Sequence, residues 1–302
     1  MRFEVPAPHS DIEVALDDGA TIHVRRHGNP NGPRMFLSHG NGFAINGYFP
    51  YWQHLLGRFD VLVFDSRNHG ENAPTKPANQ NYPQLSRDLQ RVIQTIDRQF
   101  GHSPSIGIFH SMSARTAMKH ALEFGWAWAG LVLFDPPNIP PRGHSAYAVM
   151  EESTRRLIRW ARRRRSRFDT VEELTVQYLQ SRATARWVSG AHEVMARSVL
   201  RRRPGAEGYE LVCDPENEAA IYEEDLTLKL WRRAREFGGP VKLIGCDPKM
   251  PGAATGIANR ALSVEGGYDY DFVGETDHLL QIERPEECIG LTMEFLNQCS
   301  LT

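Results

Sequence analysis

The 302-residue sequence predicts an α/β fold: a mostly parallel central sheet with helices on both faces, interrupted by an all-helical insertion. Three observations point there. Continuous apolar runs such as "RMFLSHGNGF", "FDVLVFDSRNHG", "PSIGIFHS" and "AGLVLFDPP" each end in turn chemistry, as strands buried on both faces do. Segments with helical spacing alternate with them, the pattern of a parallel sheet built from crossovers. From about 143 to 236 the strand-like runs stop and helical patterns follow one another.

Taken in order, "IEVALDDGATIHVRRHG" alternates with period two across an Asp-Asp-Gly turn and predicts a hairpin. Two buried strands follow, "RMFLSHGNGF" running into a Gly-rich loop and "FDVLVFDSRNHG" into polar turn residues. "YPQLSRDLQRVIQTIDRQF" sets Leu85, Leu89, Val92, Ile93 and Ile96 on one helical face. "PSIGIFHS" is a strand, and "SARTAMKHALEFG" a helix stopped by Gly125. "AGLVLFDPP" is the next strand. The insertion then reads as helices in "SAYAVMEESTRRLIRWARRRRSRF", "TVEELTVQYLQSRA", "GAHEVMARSVLRRR" and "EAAIYEEDLTLKLWRRAREF". "PVKLIGCDP" and "DYDFVGETDH" return to strand, and "PEECIGLTMEFLNQC" closes with a helix. The expected organisation is a core of residues 1–142 and 237–302 with a helical cap over 143–236.

With 41% hydrophobic and 24% charged residues the chain suits one large domain, or a core with an insertion. A net charge of −2 points to neither nucleic acid nor an anionic membrane surface. Cys213, Cys246, Cys288 and Cys299 are far apart and form no C-x-x-C pair, so they read as free thiols with no metal site. No apolar run approaches the ~20 residues of a membrane span, and the N-terminus shows no apolar signal core. A cytoplasmic protein is expected, and the sequence leaves monomer and homodimer both open.

Three stretches carry chemistry. Ser111, in "IFHSMSA", joins an apolar strand to a helix. A hydroxyl on such a turn stands at the carboxyl end of the sheet, facing the N–H groups and positive dipole of the helix. It reads equally as a nucleophile or as an ordinary N-cap, and Phe109 and Ser113 stand where G-x-S-x-G has glycines. "SHGNGF", Ser38 to Phe43, is a small-residue loop whose backbone can approach a ligand; Asn41, or alternatively Gly42, and Met112 after the serine could donate N–H groups to an oxyanion. His278, in "GETDHLLQIERPEE", follows a late strand and could face the same sheet end as a base.

These stretches, with "FDSRNHG" at 64–70, make the chain resemble the α/β-hydrolase superfamily. "HGNGF", a D-x-R-x-x-G turn, "FHSMSA" and an H-x-x-x-x-E-x-P ending stand in order, with the helical insertion where that superfamily carries its cap. The resemblance implies the α/β-hydrolase fold and a serine–acid–histidine triad of Ser111, an aspartate and His278. Two aspartates compete as the acid. Asp247, in "LIGCDPKMPG", follows the late strand where most of the superfamily keeps it, but stands one residue short of the usual spacing from the glycine. Asp135, in "LVLFDPPNIPP", stands where a branch including some haloalkane dehalogenases carries its acid, and it is preferred. Asp65 is expected to be structural, pairing with Arg67 or backbone.

The implied activity is hydrolysis of small to medium apolar carboxylic esters through an acyl-enzyme, without metal or organic cofactor. A serine nucleophile argues against the dehalogenase and epoxide hydrolase chemistries, which use a carboxylate. A carbon–carbon bond hydrolase or lactonase with the same triad, or a non-catalytic ligand binder, are the alternatives. Specificity should lie in the cap, which supplies Trp160, Tyr178, Trp187, Met195, Tyr222, Leu226 and Trp231; most of these are expected to pack between cap helices and some to line a mostly apolar pocket, with no role assigned to any single one. Its arginine run, interleaved with Leu157, Ile158 and Trp160, reads as an amphipathic surface helix.

Overall fold

The computed structural model describes residues 2–75 and 79–302. The hairpin forms from β1 (Ser10–Ala15) and β2 (Thr21–Gly28), paired antiparallel from Ser10↔Arg26 to Ala15↔Thr21. Then come β3 (Arg34–Ser38), the short helix α1 (Phe49–Trp52), β4 (Asp60–Phe64), α2 (Tyr82–Phe100), β5 (Ser105–His110), α3 (Met112–Phe124) and β6 (Gly130–Phe134). The insertion holds α4 (Tyr147–Ala161), β7 (Arg167–Phe168), α5 (Val171–Gln180), α6 (Ala191–Val199), β8 (Leu200–Arg202), β9 (Tyr209–Leu211) and α7 (Pro215–Asp225). The core resumes with β10 (Val241–Cys246), α8 (Ala254–Gly266), β11 (Asp269–Val273), α9 (Leu280–Glu283) and α10 (Pro285–Gln298).

The central sheet has eight strands in the order β1-β2-β4-β3-β5-β6-β10-β11. Only the pairings of β2 are antiparallel; β4 through β11 run parallel. Alternation along each parallel strand sorts the core into two layers. Leu37, Val63, Ile108, Val132 and Ile244 face one side with α10. Phe36, Leu62, Phe109, Leu133 and Leu243 face the other, with Leu89 and Val92 of α2 and Ala117 and Met118 of α3. The chain leaves β3 toward β4 and returns to β5 on the opposite side, so the strand order reverses at β3. Such a switch point opens a crevice at the strand carboxyl ends. Pairing of Ser38 with Phe109 brings the loop after β3 beside the turn after β5.

The insertion departs from the all-helical expectation: β7, β9 and β8 form a three-stranded antiparallel sheet. "SVLRRR" has good helical propensity, but α6 stops at Val199 and the arginines enter β8. There Arg201 pairs with Glu210 across the strands at 2.7 Å, and Arg202 lies over the Tyr209 ring. These cross-strand contacts override local propensity. Likewise α7 ends at Asp225, and the stretch beyond it extends so that Leu230 is buried in the core. Helix α8 occupies a segment to which the sequence reading assigns no element.

The insertion docks on residues 45–48: a Cβ on Gly47 would strike the Met195 side chain of α6, and Tyr178 and Trp187 join the same apolar cluster. Trp160 instead lies half exposed beneath the Arg164 guanidinium. Most of the arginine run is solvated and several members pair with glutamates, as Arg155 with Glu151 and Arg162 with Glu223; Arg164 is the buried exception, paired with Glu218. No helix among the described residues is long and apolar enough to cross a membrane.

Candidate active site

Ser111 leaves β5 with φ 53° and ψ −111°, a conformation that costs an L-residue about 1–3 kcal/mol and needs support from its surroundings. The support is visible. Ser111 N–H donates to Phe134 O at 2.9 Å, and Ser111 O accepts from Arg115 N at 3.0 Å. Ser113 Oγ accepts the His110 N–H and donates to the His110 carbonyl, both at 3.0 Å. A serine at this position therefore stitches the first turn of α3 to the strand, where a glycine would only leave room.

The phenylalanine two residues before Ser111 has an equally local explanation. Its ring points away from the site, between Phe64 and Trp128. It lies over Gly107, where an added Cβ would come within 2.6 Å of the ring and 2.5 Å of Leu131 Cδ2. The space that a glycine at 109 would give is supplied two residues earlier on the same face of β5. On the other side, a Cβ on Gly40 would lie 2.8 Å from His110 Nδ1 and 3.2 Å from Ser111 Cβ, so a side chain there would displace the His110 ring.

Ser111 Oγ makes no capping bond to α3. It lies 2.8 Å from His278 Nε2, and His278 Nδ1 lies 2.6 Å from Asp135 Oδ2. Asp135 is fully buried, with φ 43°. Its Oδ1 accepts from Cys246 N (3.1 Å) and Asn259 Nδ2 (2.8 Å), and its Oδ2 from Thr255 Oγ1 (2.6 Å). Burial pushes the Asp135 carboxyl up, but the hydrogen bond and charge of His278, then Thr255 and Cys246 N–H, more than reverse it and hold it below the usual carboxylate range. Burial pulls the His278 imidazole down, and Asp135 more than restores it, leaving its pKa above the ordinary value.

Asp247 is not brought to this chain of bonds. Its Oδ1 accepts from Lys249 N (2.9 Å) and its Oδ2 from Glu275 N (3.0 Å), so it caps the end of β10 and pins the loop that leads to His278. Thr255 and Asn259, which clamp Asp135, are absent from the sequence reading. Their signal is a polar i, i+4 pair on α8, legible only once Asp135 is known to lie beside it.

The loop after β3 is held by several hydrogen bonds. His39 Nδ1 donates to Gly40 O at 2.8 Å, Gly40 N–H to Tyr48 Oη at 3.1 Å, and Asn41 Nδ2 to the Glu218 carbonyl at 2.8 Å. Gly42 N–H donates to His69 Nε2 at 3.0 Å, which removes it as an oxyanion donor. The N–H groups of Asn41 and of Met112, first residue of α3, have no acceptor among the described residues. His69 gives its Nδ1 proton to Arg67 O, and burial, then the neighbouring His39, push its pKa down to about 3. Asp65 is structural as expected and takes a backbone partner, Ile45 N–H, beside Arg25 at 2.8 Å; Arg67 is not its partner and pairs with Asp88. Asn68 takes the positive φ (60°) of a common glycine and ties its side chain to Gln80 and Thr75 N.

Helix α7 lies over this loop. Glu218 pairs with Arg164 at 2.5 Å, and a Cβ on Gly42 would meet both side chains. One face further along, Asp225 pairs with Arg115 of α3 and accepts from Tyr82 Oη at 2.8 Å. The surface of the insertion above Gly42 is thus a buried ion pair, more polar than the sequence alone suggests.

The sequence matches the alpha/beta hydrolase family over residues 27–291. It is 26% identical to the monoglyceride lipases of Rattus norvegicus and Homo sapiens over 134 residues, 43% of this chain and 44% of the lipases, so the match spans under half of those relatives' length. Among solved structures, E-2-(acetamidomethylene)succinate hydrolase superposes with a TM-score of 0.77 at 19% identity, covering 95% of this chain and 99% of that one. An esterase from Thermogutta terrifontis does so with a TM-score of 0.69 at 18% identity, covering 96% and 99%. The order of strands, the strained serine after β5 and the extent of the match agree: the chain belongs to the alpha/beta hydrolase family.

Proposed function

We propose that this hydrolase is a serine esterase that cleaves small to medium apolar carboxylic esters through an acyl-enzyme on Ser111, with residues 143–236 as the cap that selects the substrate. One observation carries the reading: His278 stands between Ser111 Oγ at 2.8 Å and Asp135 at 2.6 Å. His278 Nε2 takes the Ser111 proton as Oγ attacks the ester carbonyl. Asp135 holds the Nδ1–H tautomer and stabilises the imidazolium. The free N–H groups of Asn41 and Met112 face the developing oxyanion, where a donor contributes about 3–4 kcal/mol. The imidazolium protonates the leaving alkoxide, and water, activated by the same histidine, releases the acid. This chemistry requires neither metal nor organic cofactor. The names of the lipase and esterase relatives are consistent with an ester substrate.

The test is hydrolysis of p-nitrophenyl esters of increasing acyl length by the purified protein beside Ser111→Ala. The expected result is turnover by the first and none above background by the second, with a chain-length optimum. Equal rates in both would sink the reading. Inactivity of both toward the esters, with turnover of lactones or β-diketones by the wild type, would replace the ester by those substrates.

A further inference from the structure

His110 precedes Ser111 and has no part in the proton transfer above. It is buried, and both ring nitrogens are engaged. Nε2 lies 2.8 Å from the backbone oxygen of His278, and Nδ1 lies 2.8 Å from Tyr48 Oη. A carbonyl only accepts, so Nε2 carries the imidazole proton. Nδ1 is then an acceptor and Tyr48 its donor, and Tyr48 Oη in turn accepts the Gly40 N–H at 3.1 Å. Every direction in the chain follows from its two backbone ends. Burial, then the neighbouring His278, hold the His110 pKa down at about 3, so the ring stays neutral. The His110 and His278 rings lie 4.8 Å apart.

The chain joins three separate segments: the loop that carries Asn41, the turn that carries Ser111, and the loop that carries His278. We propose that Tyr48 and His110 are positioning residues for acyl transfer, fixing the oxyanion loop against the His278 loop so that the Asn41 N–H and His278 Nε2 address one reacting carbonyl. The proposal rests on the triad reading. Neither side chain touches the reacting atoms; both act through Gly40 and the His278 backbone.

Tyr48→Phe removes one hydroxyl and keeps the ring. Tyr51→Phe is its control: Tyr51 is equally buried, and its Oη bonds Thr292 Oγ1 at 2.9 Å, outside this chain. The measurement is the rate at which a fluorophosphonate labels Ser111, with inhibition by a trifluoromethyl ketone, whose hemiketal oxyanion needs the same hole. Tyr48→Phe is expected to slow labelling and weaken inhibition together by about 10- to 100-fold, the range that a misplacement of about 1 Å produces. Tyr51→Phe should stay near wild type while its unfolding midpoint drops as much, which separates positioning from stability. Equal labelling of the two variants overturns the positioning role and leaves the triad standing. A wild type that takes no label overturns the triad reading and the positioning role with it. His110→Gln repeats the test should Tyr48→Phe not fold, since it keeps a donor for the His278 carbonyl and loses the Nδ1 acceptor; labelling at the wild-type rate overturns the role.

Discussion

His278 Nδ1 meets Asp135 Oδ2 at 2.6 Å, whereas Asp247, at the end of the next strand, spends both oxygens on the backbone of Lys249 and Glu275. Asp135→Asn should therefore lower kcat by on the order of 10⁴-fold, since an amide there favours the wrong imidazole tautomer. Asp247→Asn keeps one acceptor oxygen and touches no reacting group; it should cost activity only through local loosening of the loop, within about tenfold. Ester hydrolysis by the two purified variants decides. Similar losses would reject the assignment of the acid.

The clamp from α8 supplies a second prediction. Thr255 Oγ1 and Asn259 Nδ2 both donate to Asp135, and each lowers the basicity of its carboxylate. In Thr255→Val the carboxylate loses a donor, becomes more basic and holds the His278 proton more strongly. The midpoint of the pH–kcat/KM profile should move up, while a hydrogen bond to a charged group worth about 1.5–3 kcal/mol is lost from stability. An unmoved midpoint in a folded variant would show that Thr255 does not tune the pair.

Much of this site is written in local sequence and much is not. The strand–turn–helix signals around Ser111, the "HGNGF" loop and the late His278 are short-range patterns, and they place three of the groups. Asp135 and Asp247 look alike in sequence because each ends a buried strand. What separates them is which strand end the His278 loop folds across, a long-range fact. Thr255 and Asn259 are silent for the same reason: their role exists only once α8 packs beside Asp135. The strands of the insertion are the converse, since "SVLRRR" reads as helix until Glu210 and Tyr209 come alongside. Phe109 reads as a defect in the turn until Gly107 is seen beneath its ring.

That last pair is itself testable. Gly107→Ala places a Cβ within 2.6 Å of the Phe109 ring and 2.5 Å of Leu131. Overpacking of this kind costs about 1–3 kcal/mol. The cost should shrink in a Phe109→Ala background, where the ring is gone, so the double-variant cycle should show a coupling of about 0.5–3 kcal/mol. Additive losses in chemical denaturation would mean that Gly107 serves another neighbour.

Activity and stability should respond to pH through different histidines. His278 has its pKa raised above the ordinary 6.5, so the base is unprotonated, and kcat/KM at its plateau, only above that point. The same shift, raised in the folded state, gives stability that is present below the unfolded pKa and is lost as pH rises through the folded one. His27 and His120, with pKa values about 4, and His69 and His110, with values about 3, behave oppositely, since burial, the largest cause in each, keeps them neutral. Unfolding lets them take up protons, so as pH falls from 6.5 toward 4 each removes up to ~1.4 kcal/mol of stability per pH unit. Asp225, pushed up to about 6 by burial against the pull of Arg115, works the other way between about 6 and 3.8, offsetting about one histidine. The expected result is an unfolding midpoint that falls from neutral pH to pH 4 while the activity limb, set by His278, lies higher. His69→Gln, which keeps an acceptor for Gly42 N–H but cannot take up a proton, should flatten the acid limb of stability without moving the activity midpoint. A stability curve as steep as wild type would exclude His69 as a source of acid lability.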